Sequence, residues 1–359
     1  MTTLPENYRD LVSKSRTRAP TISCVVPAFN EAGNLPDLLK QLSAQLTDCA
    51  AAWEIIVIDD GSTDHTFSTM LPWTRLEGIR YIKLSRNFGK EAALTAGIER
   101  SLGDVVILLD ADLQHPVSLI PAMLKEWFAG YDCAYAVRRS RQTETLTKRL
   151  GTAVLFQIMN AGSAVKIPVD AGDFRLLDRA VVNALLALPE RNRFMKGLYA
   201  WVGFNAIAVP YTPDPRVSGK SSFSFTRLAK LGLTGLTAFS NLPLRIWGGI
   251  GALIALAAFA YGTFISISYL FFTNDVPGWT TLVAGLMFFS GIQLLSIGIL
   301  GEYIGRIFEE VKRRPLYIIA SESGTGHIQN SVQNNDATLI VQTPDHARER
   351  ADQSRSNLL

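Results

Sequence analysis

Residues Asp104–Leu109 read DVVILL, and the acidic triplet Asp110-Ala111-Asp112 follows them directly. A short, uninterrupted run of apolar and β-branched residues is typical of a strand that is buried on both faces. Such strands belong to parallel sheets that carry helices on both sides. The segment therefore predicts a central strand of a parallel sheet, with two carboxylates at its carboxyl end.

Three similar runs precede this one, and helical segments separate them. The runs are Thr21–Val26 before Pro27, Glu54–Ile58 before Asp59, and Arg80–Leu84 before Ser85. The helical segments are Leu35–Leu46, Thr63–Leu71 and Ala92–Ser101. This alternation predicts an α/β domain with a Rossmann-like, mainly parallel sheet.

Ligands of open parallel sheets bind beyond the carboxyl ends of the strands. In this chain those ends carry Asn30-Glu31, Asp59-Asp60, Arg86-Asn87 and Asp110 to Asp112. Neither GxxxxGK[ST] nor a GxGxxG after a strand occurs, which argues against ATPase, kinase and dinucleotide-binding functions. We therefore expect a ligand site built from carboxylates and amides at one edge of the sheet.

The composition indicates a protein with apolar segments that face lipid. The chain has 359 residues, which suits about two domains. Its mean hydropathy is +0.16, and charged residues make up 19%, below the ~25% of typical soluble domains. The net charge of +3 does not suggest a nucleic-acid partner. The three cysteines are widely spaced, which argues against a disulfide framework or a zinc site.

Two long apolar segments predict a transmembrane helical hairpin. Ile246–Thr273 is uncharged over 28 positions and Val276–Gly301 over 26, with Asn274-Asp275 between them. As helices they would reach about 42 Å and about 39 Å, enough to cross a hydrocarbon core of about 30 Å. The alternative is a buried hairpin in the core of a large soluble protein.

Charged residues predict the orientation of this hairpin. Arg245 precedes the first segment, basic residues follow the second from Arg306 onward, and the connection holds only Asp275. The positive-inside rule then places both ends in the cytoplasm, in agreement with an N-terminus that lacks an apolar signal sequence. Just before the hairpin, Ser222–Phe239 has apolar residues at helical spacing. It is interpreted as a helix in the membrane interface, or alternatively as an amphipathic helix packed on the sheet domain.

These features divide the chain into six parts. We expect a flexible N-terminal arm at 1–19, the α/β domain at 20–213, an interfacial region at 214–243, two transmembrane helices within 244–305 (about 246–273 and 276–301), a juxtamembrane segment at 306–320, and a disordered tail at 321–359.

The acidic clusters suggest phosphate and nucleotide chemistry. Carboxylates in the segment 59–64 (DDGSTD) could accept hydrogen bonds from a base or ribose, although a plain strand-to-helix turn with capping residues remains the alternative. Asp110 and Asp112 could hold Mg²⁺ or Mn²⁺, which prefer oxygen ligands. A metal there would neutralise the charge of a leaving diphosphate.

Several motifs together resemble glycosyltransferase family 2. They are residues 26–31 (VPAFNE), 59–64 (DDGSTD), 85–91 (SRNFGKE), 110–114 (DADLQ), 172–175 (GDFR), 188–197 (LPERNRFMKG) and 301–306 (GEYIGR). The resemblance covers about residues 20–317 and is closest to the branch of dolichol-phosphate mannose synthase and the polyprenyl-phosphate (bactoprenol) glucosyltransferases. It implies a GT-A fold, a cytoplasmic active site on the bacterial inner membrane, and a homo-oligomer, since some relatives are tetramers.

The resemblance also assigns roles to individual residues. It implies a nucleotide-sugar site formed by Pro27, Asn30, Glu31, Asp59, Asp60, Lys90 and Asp110. Asp110 and Asp112 would bind Mg²⁺ or Mn²⁺. Asp173 and Arg216 would act at the reacting groups, and the lipid phosphate would contact Arg138, Arg216 and Lys220.

The chemistry of the acceptor shapes what these residues must do. A lipid monophosphate has a second pKa of about 6, so it is already a nucleophile at neutral pH. The site then needs cations that position two anionic substrates more than it needs a strong base. Asp173 is therefore interpreted as a base or an orienting group, with a structural salt bridge to Arg175 or a neighbouring arginine as the alternative. For Arg138 the alternative is a solvated charged edge.

The predicted reaction is the inverting transfer of a hexose, with glucose as the best choice, from a UDP-sugar to undecaprenyl phosphate. Mannose from GDP-mannose or a modified aminoarabinose are alternative donors. A processive polysaccharide synthase would carry a QxxRW segment and more spans, and neither is present. A non-catalytic membrane scaffold is the alternative from another class, and the intact acidic clusters argue against it.

Overall fold

The computed structural model describes residues 16–138, 172–191, 193–211 and 278–328, together with single positions between 247 and 271. Within these residues, eight strands form one sheet. They are β1 Thr21–Ala28, β2 Ala52–Asp59, β3 Ile79–Leu84, β4 Val105–Leu108, β5 Cys133–Arg138, β6 Arg175–Asp178, β7 Ala206–Tyr211 and β8 Ile319–Ser323. The helices are α1 Leu35–Cys49, α2 Thr66–Met70, α3 Lys90–Arg100, α4 Ile120–Phe128, α5 Arg179–Leu186, α6 Met195–Trp201 and α7 Trp279–Val311.

The strand order is β7-β5-β6-β4-β1-β2-β3-β8. The four strands that the sequence predicts, β4, β1, β2 and β3, are neighbours and run parallel. β6 is antiparallel to β4 and β5, and β8 is antiparallel to β3. The prediction of a GT-A-like α/β fold with a mostly parallel sheet is confirmed.

Side chains of successive strand residues enter two separate cores. On β1, Cys24 and Val26 pack with leucines of α1 and with α4, whereas Val25 packs with α3, α5 and α6. All three strand residues are fully buried. Helices therefore cover both faces of the sheet, so the polar groups at the strand ends are left at its edge.

The N-terminal boundary of the folded domain lies earlier than residue 20. The guanidinium of Arg16 donates to the carbonyls of Trp127 and Tyr131, both at 2.7 Å, and pairs with Asp132 at 3.0 Å and Asp178 at 2.9 Å. The prediction of a flexible arm at 1–19 is therefore wrong for residues 16–19. Local polarity suggested a solvated arm, but the acceptors for Arg16 come from distant parts of the chain.

The boundaries after the second apolar segment are also corrected. α7 begins at Trp279 and continues to Val311, so it extends through the first part of the predicted juxtamembrane segment. Residues 321–328, assigned to a disordered tail, belong to the folded domain because β8 extends the sheet beside β3. The polar composition of this segment does not predict a strand. Its charged residue, Glu322, pairs with Arg80 at 2.7 Å.

Among the described residues, α7 is the helix that is long and apolar enough to cross a membrane. A stretch of 18 residues within its segment 285–311 has a mean hydropathy of 1.4 and is not buried within the protein. The positions described between 247 and 271 are all helical, and Trp247 Nε1 donates to Ser296 Oγ of α7 at 2.5 Å. Both observations are consistent with a helical hairpin. The predicted interfacial region, 214–243, lies outside the described residues.

Candidate active site

The carboxylates at the end of β2 organise the loops around them. Asp59 accepts a hydrogen bond from the backbone N–H of Ser62 at 2.7 Å and another from the hydroxyl of Tyr81. Asp60 accepts from the backbone N–H groups of Phe88 and Gly89, at 2.7 and 2.8 Å. Both carboxylates are buried, and burial raises the pKa of Asp60. The carboxylates of Asp59 and Asp60 therefore fix the loops after β2 and β3, which border the predicted nucleotide site.

Gly61 allows the loop after β2 to cross the loop after β3 with their backbones in direct contact. Its φ is +70°, and a Cβ at this position would lie 2.4 Å from the carbonyl carbon of Arg86 and 2.7 Å from the amide nitrogen of Asn87. Both features require glycine, because a side chain would be strained and would meet backbone. Gly61 therefore forms a tight turn in the loop after β2, where that loop contacts the loop after β3.

Asn30 ties the end of β1 to the loop after β2. Its side-chain oxygen accepts from the backbone N–H of Thr63 at 2.9 Å, and its own N–H donates to Ser62 Oγ at 2.9 Å. Glu31 lies beside it and accepts from Asn34 Nδ2 at 2.6 Å. Pro27 is half-buried on β1, opposite Ile58 of β2. The structure thus brings the residues predicted at the nucleotide together along two neighbouring strand ends.

A cluster of two lysines and two aspartates forms the centre of the site. Lys90 Nζ, at the start of α3, lies 2.6 Å from Asp110 Oδ1 and 2.6 Å from Asp173 Oδ2. Lys196 Nζ, at the start of α6, lies 3.3 Å from Asp173 Oδ1. The four residues come from four separate segments of the chain. Asp110, Lys90 and Asp173, which the sequence analysis selected, therefore belong to one cluster.

Neighbouring charges set the protonation of this cluster. Burial opposes the charged form of Lys90, but Asp110 and Asp173 outweigh it and raise the pKa of its ammonium. Burial and the neighbouring carboxylates Asp173 and Asp112 raise the pKa of Asp110, against the pull of Lys90. Asp173 is held ionised because Lys196 and Lys90 overcome its burial and lower its pKa. A carboxylate with a lowered pKa is a weak base, which favours an orienting role for Asp173 over proton abstraction.

One residue of this cluster, Lys196, and one residue beside it, Glu91, were not selected from the sequence. Lys196 was noted only within the charged segment 188–197, and nothing in that segment indicated which of its charges faces Asp173. Glu91 follows Lys90, and burial together with the charge of Asp173 raises its pKa to about 7. Its carboxylate accepts from the backbone N–H of Met195 at 3.4 Å. Only the tertiary structure shows that α3 and α6 meet here.

Asp173 does not use the salt-bridge partner that the sequence offered as an alternative. The guanidinium carbon of Arg175 lies 4.4 Å from the centre of the Tyr199 ring and 5.3 Å from the centre of the Tyr135 ring. Its Nε donates to the carbonyl of Gly172 at 3.1 Å. Among the residues that the structure describes, Asp173 pairs with Lys90 and Lys196.

The carboxylates suited to a metal lie close to the cluster. Asp112 accepts from the backbone N–H of Gln114 at 3.1 Å and from its side-chain amide at 2.6 Å. Burial raises the pKa of Glu31, and Asp112, Asp110 and Asp64 add to this increase. Across the described residues, no group of three or more His, Cys, Asp or Glu side chains converges as a complete metal site. Asp110 and Asp112 would therefore supply only some of the oxygen ligands of a metal ion, and a substrate would have to supply the others.

Arg216 and Lys220, as well as the side chain of Arg138, lie outside the described residues.

The fold and the site together define a glycosyltransferase of the GT-A type. The model of glycosyl transferase family 2 matches residues 23–186, and that of the GtrB C-terminal hairpin matches residues 242–307. The chain is 42% identical over 308 residues to an uncharacterized glycosyltransferase of Synechocystis, covering 86% of this chain and 97% of that relative. It therefore belongs to glycosyl transferase family 2, and the hairpin match together with α7 indicates that it associates with a membrane.

Other relatives carry more specific names. The chain is 42% identical over 299 residues to the SfII prophage-derived bactoprenol glucosyl transferase of Shigella flexneri, covering 83% of this chain and 97% of the relative. It is 40% identical over 299 residues to the prophage bactoprenol glucosyl transferase homolog of Escherichia coli K12, covering 83% and 98%. These relatives match the branch that the sequence motifs resemble.

Proposed function

We propose that this protein transfers glucose from UDP-glucose to undecaprenyl phosphate, with inversion at the anomeric carbon, on the cytoplasmic face of a bacterial inner membrane. The observation that carries the proposal is the Lys90–Asp110–Asp173–Lys196 cluster at the carboxyl edge of the sheet. The names of the bactoprenol glucosyl transferase relatives support the choice of acceptor and sugar. The apolar helix α7 supports a site that works on a lipid at the membrane surface.

The cluster suits a reaction between two anions. The acceptor oxygen of a lipid phosphate is largely ionised at neutral pH and needs no strong base. Lys90 and Lys196 supply the positive charge that brings this phosphate toward a nucleotide diphosphate. Asp173, held ionised between them, orients the two ammonium groups. Attack by the phosphate oxygen forms the new bond to the sugar carbon as the bond to the diphosphate breaks, and UDP leaves with that electron pair.

A divalent cation fits beside this cluster. Asp110 and Asp112 present the carboxylate oxygens that Mg²⁺ and Mn²⁺ prefer. Burial, with smaller contributions from the charges of Asp173 and Asp112, raises the pKa of Asp110, and a bound cation would favour its ionised form. When bound, the metal would supply charge stabilisation to the leaving diphosphate. The donor phosphates would complete its coordination.

Nucleotide release by the detergent-purified full chain tests the proposal. The protein is incubated with Mg²⁺ or Mn²⁺, a panel of UDP- and GDP-sugars, and undecaprenyl phosphate or no lipid. The expected result is UDP release that needs the lipid and occurs with UDP-glucose. Asp112→Asn should abolish it, whereas the matched change Asp37→Asn, at an exposed position of α1, should leave it intact.

Each other outcome points to a different function. Lipid-dependent release of GDP, or release with another UDP-sugar, would replace glucose as the donor sugar. A product that keeps the α configuration would exclude direct inverting attack. No release with any donor, from folded protein in lipid, would favour the scaffold interpretation.

A further inference from the structure

A charged residue at the end of the membrane helix, Glu310, contacts the sheet domain. Glu310 lies in the last turn of α7, and its two carboxylate oxygens accept the backbone N–H of Arg191 at 2.9 and 3.2 Å. Arg191 belongs to the α5–α6 loop, residues 187–194, of which all but 192 are described. Because the donor is a main-chain group, the contact fixes the path of this loop and does not depend on the side chain at 191.

Hydrogen bonds from Arg193 make the α5–α6 loop stiff next to this contact. The guanidinium of Arg193 is buried and donates to the carbonyls of Leu188 at 2.8 Å and Glu190 at 3.2 Å. Phe194 and Met195, which follow it, are 8% and 2% exposed. Close-packed side chains and loop-closing hydrogen bonds transmit a displacement and do not absorb it. The position of Arg191 therefore sets the position of the start of α6.

The start of α6 reaches the centre of the active site. The backbone N–H of Met195 donates to Glu91 at 3.4 Å, and Lys196 Nζ lies 3.3 Å from Asp173. The chain segment from Arg191 to Lys196 thus joins the contact with Glu310, at the end of α7, to the carboxylate at which two lysines meet. Lys196 follows the anchored residue, Arg191, by only five positions.

We propose that Glu310 is a positioning residue for sugar transfer, which holds the α5–α6 loop on α7 and thereby holds Lys196 against Asp173. The inference rests on the proposed function, since it concerns the approach of a lipid phosphate. The bilayer fixes the depth of that phosphate, while the sheet domain fixes the donor. Reacting atoms must be placed to within a fraction of an ångström, so a rigid link between the membrane helix and the cationic site has a direct effect on rate.

Replacement of Glu310 tests this link, with Glu309 as the matched control. Glu309 is the preceding residue on α7 and is exposed. Glu310→Ala should lower kcat for lipid-dependent nucleotide release about tenfold and leave the KM for the nucleotide sugar within about twofold. Glu309→Ala should behave as the wild type. Glu310→Gln keeps one acceptor oxygen and should recover most of the lost rate.

A double-mutant cycle separates positioning from a general loss of structure. Lys196→Met alone should reduce kcat, and adding Glu310→Ala to it should cost no more than about another twofold, because both changes disable the same contact. If the two losses multiply, Glu310 does not act through Lys196 and the inference is wrong. Equal rates for Glu310→Ala and Glu309→Ala would also overturn it.

Hydrogen exchange gives a readout that is independent of activity. The amides of residues 191–196 should exchange faster in Glu310→Ala than in Glu309→Ala, because the loop has lost its anchor. Unchanged exchange contradicts the inference even if the rate falls. If the wild type itself shows no lipid-dependent release, the proposed function fails, while exchange still reports whether Glu310 fixes the loop.

Discussion

The ammonium group of Lys90 lies 2.6 Å from the carboxylate of Asp173, although the two residues are 83 positions apart in the chain. The same nitrogen lies 2.6 Å from Asp110. One cation therefore pairs at the same time with a carboxylate at the end of β4 and with one in the segment before β6. Because both substrates of the proposed reaction are anions, the balance of charge at this point governs whether they can approach each other.

Replacement of Lys90 should disable transfer without unfolding the protein. Lys90→Met removes the positive charge between Asp110 and Asp173, and we expect lipid-dependent kcat/KM to fall about a hundredfold. The side chain of Lys90 is 41% exposed, so its loss leaves no cavity in the core. The assay is nucleotide release, with a thermal melt as the check on folding. Lys40→Met, at an exposed position of α1, is the control, and an equal rate in both variants would exclude Lys90 from the site.

Glu91 should make stability depend on pH near neutrality. Its pKa is raised from 4.5 to about 7 by burial and the charge of Asp173, so the folded protein binds a proton that the unfolded chain has lost over this interval. Stability from this group is therefore present at low pH and decreases as the pH rises from about 4.5 to about 7.

The variant Glu91→Gln tests this expectation because it keeps an oxygen acceptor for Met195 and cannot ionise. Its Tm should exceed that of the wild type above about pH 7, and the two should converge near pH 4.5. Thermal melts across this range measure the difference. Asp37→Asn should follow the wild-type curve throughout. A difference that stays constant with pH would show that Glu91 does not titrate in this interval.

Gly61 should tolerate no side chain. Alanine there costs about 1–3 kcal/mol for the left-handed backbone alone, and its Cβ would also meet the backbone of Arg86 and Asn87. Gly61→Ala should lower Tm by about 5 °C or more and raise the KM for the nucleotide sugar, because loop 59–64 is displaced. Gly33→Ala is the matched control, since a Cβ there meets no atom within 4 Å. Equal melts for the two variants would contradict the crossing of the loops.

The sequence predicts the four central parallel strands and misses the strands on either side of them. Apolar runs identify β1 to β4 because burial on both faces leaves a continuous pattern. β6 and β8 are only four and five residues long and contain charges, so local pattern does not mark them. β8 pairs with β3, and Glu322 there meets a buried arginine that is far away in the sequence.

The same limit applies to the site. The strand ends indicate Asp59, Asp60 and Asp110, since the carboxyl edge of a parallel sheet collects them. Lys196 reaches Asp173 through the packing of α6 on the second core, which no spacing in the sequence encodes. Contacts between separate segments decide which of many charged residues face each other.

The pairing of β8 with the rest of the sheet should depend on Arg80. Its guanidinium is buried, pairs with Glu54 at 3.0 Å and Glu322 at 2.7 Å, and so joins β2, β3 and β8. Arg80→Met would leave Glu54, which is fully buried, without its counter-charge, and we expect the free energy of unfolding to fall by about 3 kcal/mol. Arg100 also pairs with Glu322, at 3.1 Å, but its side chain is 44% exposed. Arg100→Met should cost less than about 1 kcal/mol.

Denaturant titration of the detergent-solubilised protein measures both changes, and limited proteolysis reports on residues 319–328. The segment should be cleaved faster in Arg80→Met than in Arg100→Met, because β8 has lost its charged partner. Adding Glu54→Gln to Arg80→Met should recover part of the stability, since the uncompensated buried charge is removed. If the Arg80 and Arg100 variants are equally stable, the backbone hydrogen bonds to β3, and not the buried ion pair, hold this strand in the sheet.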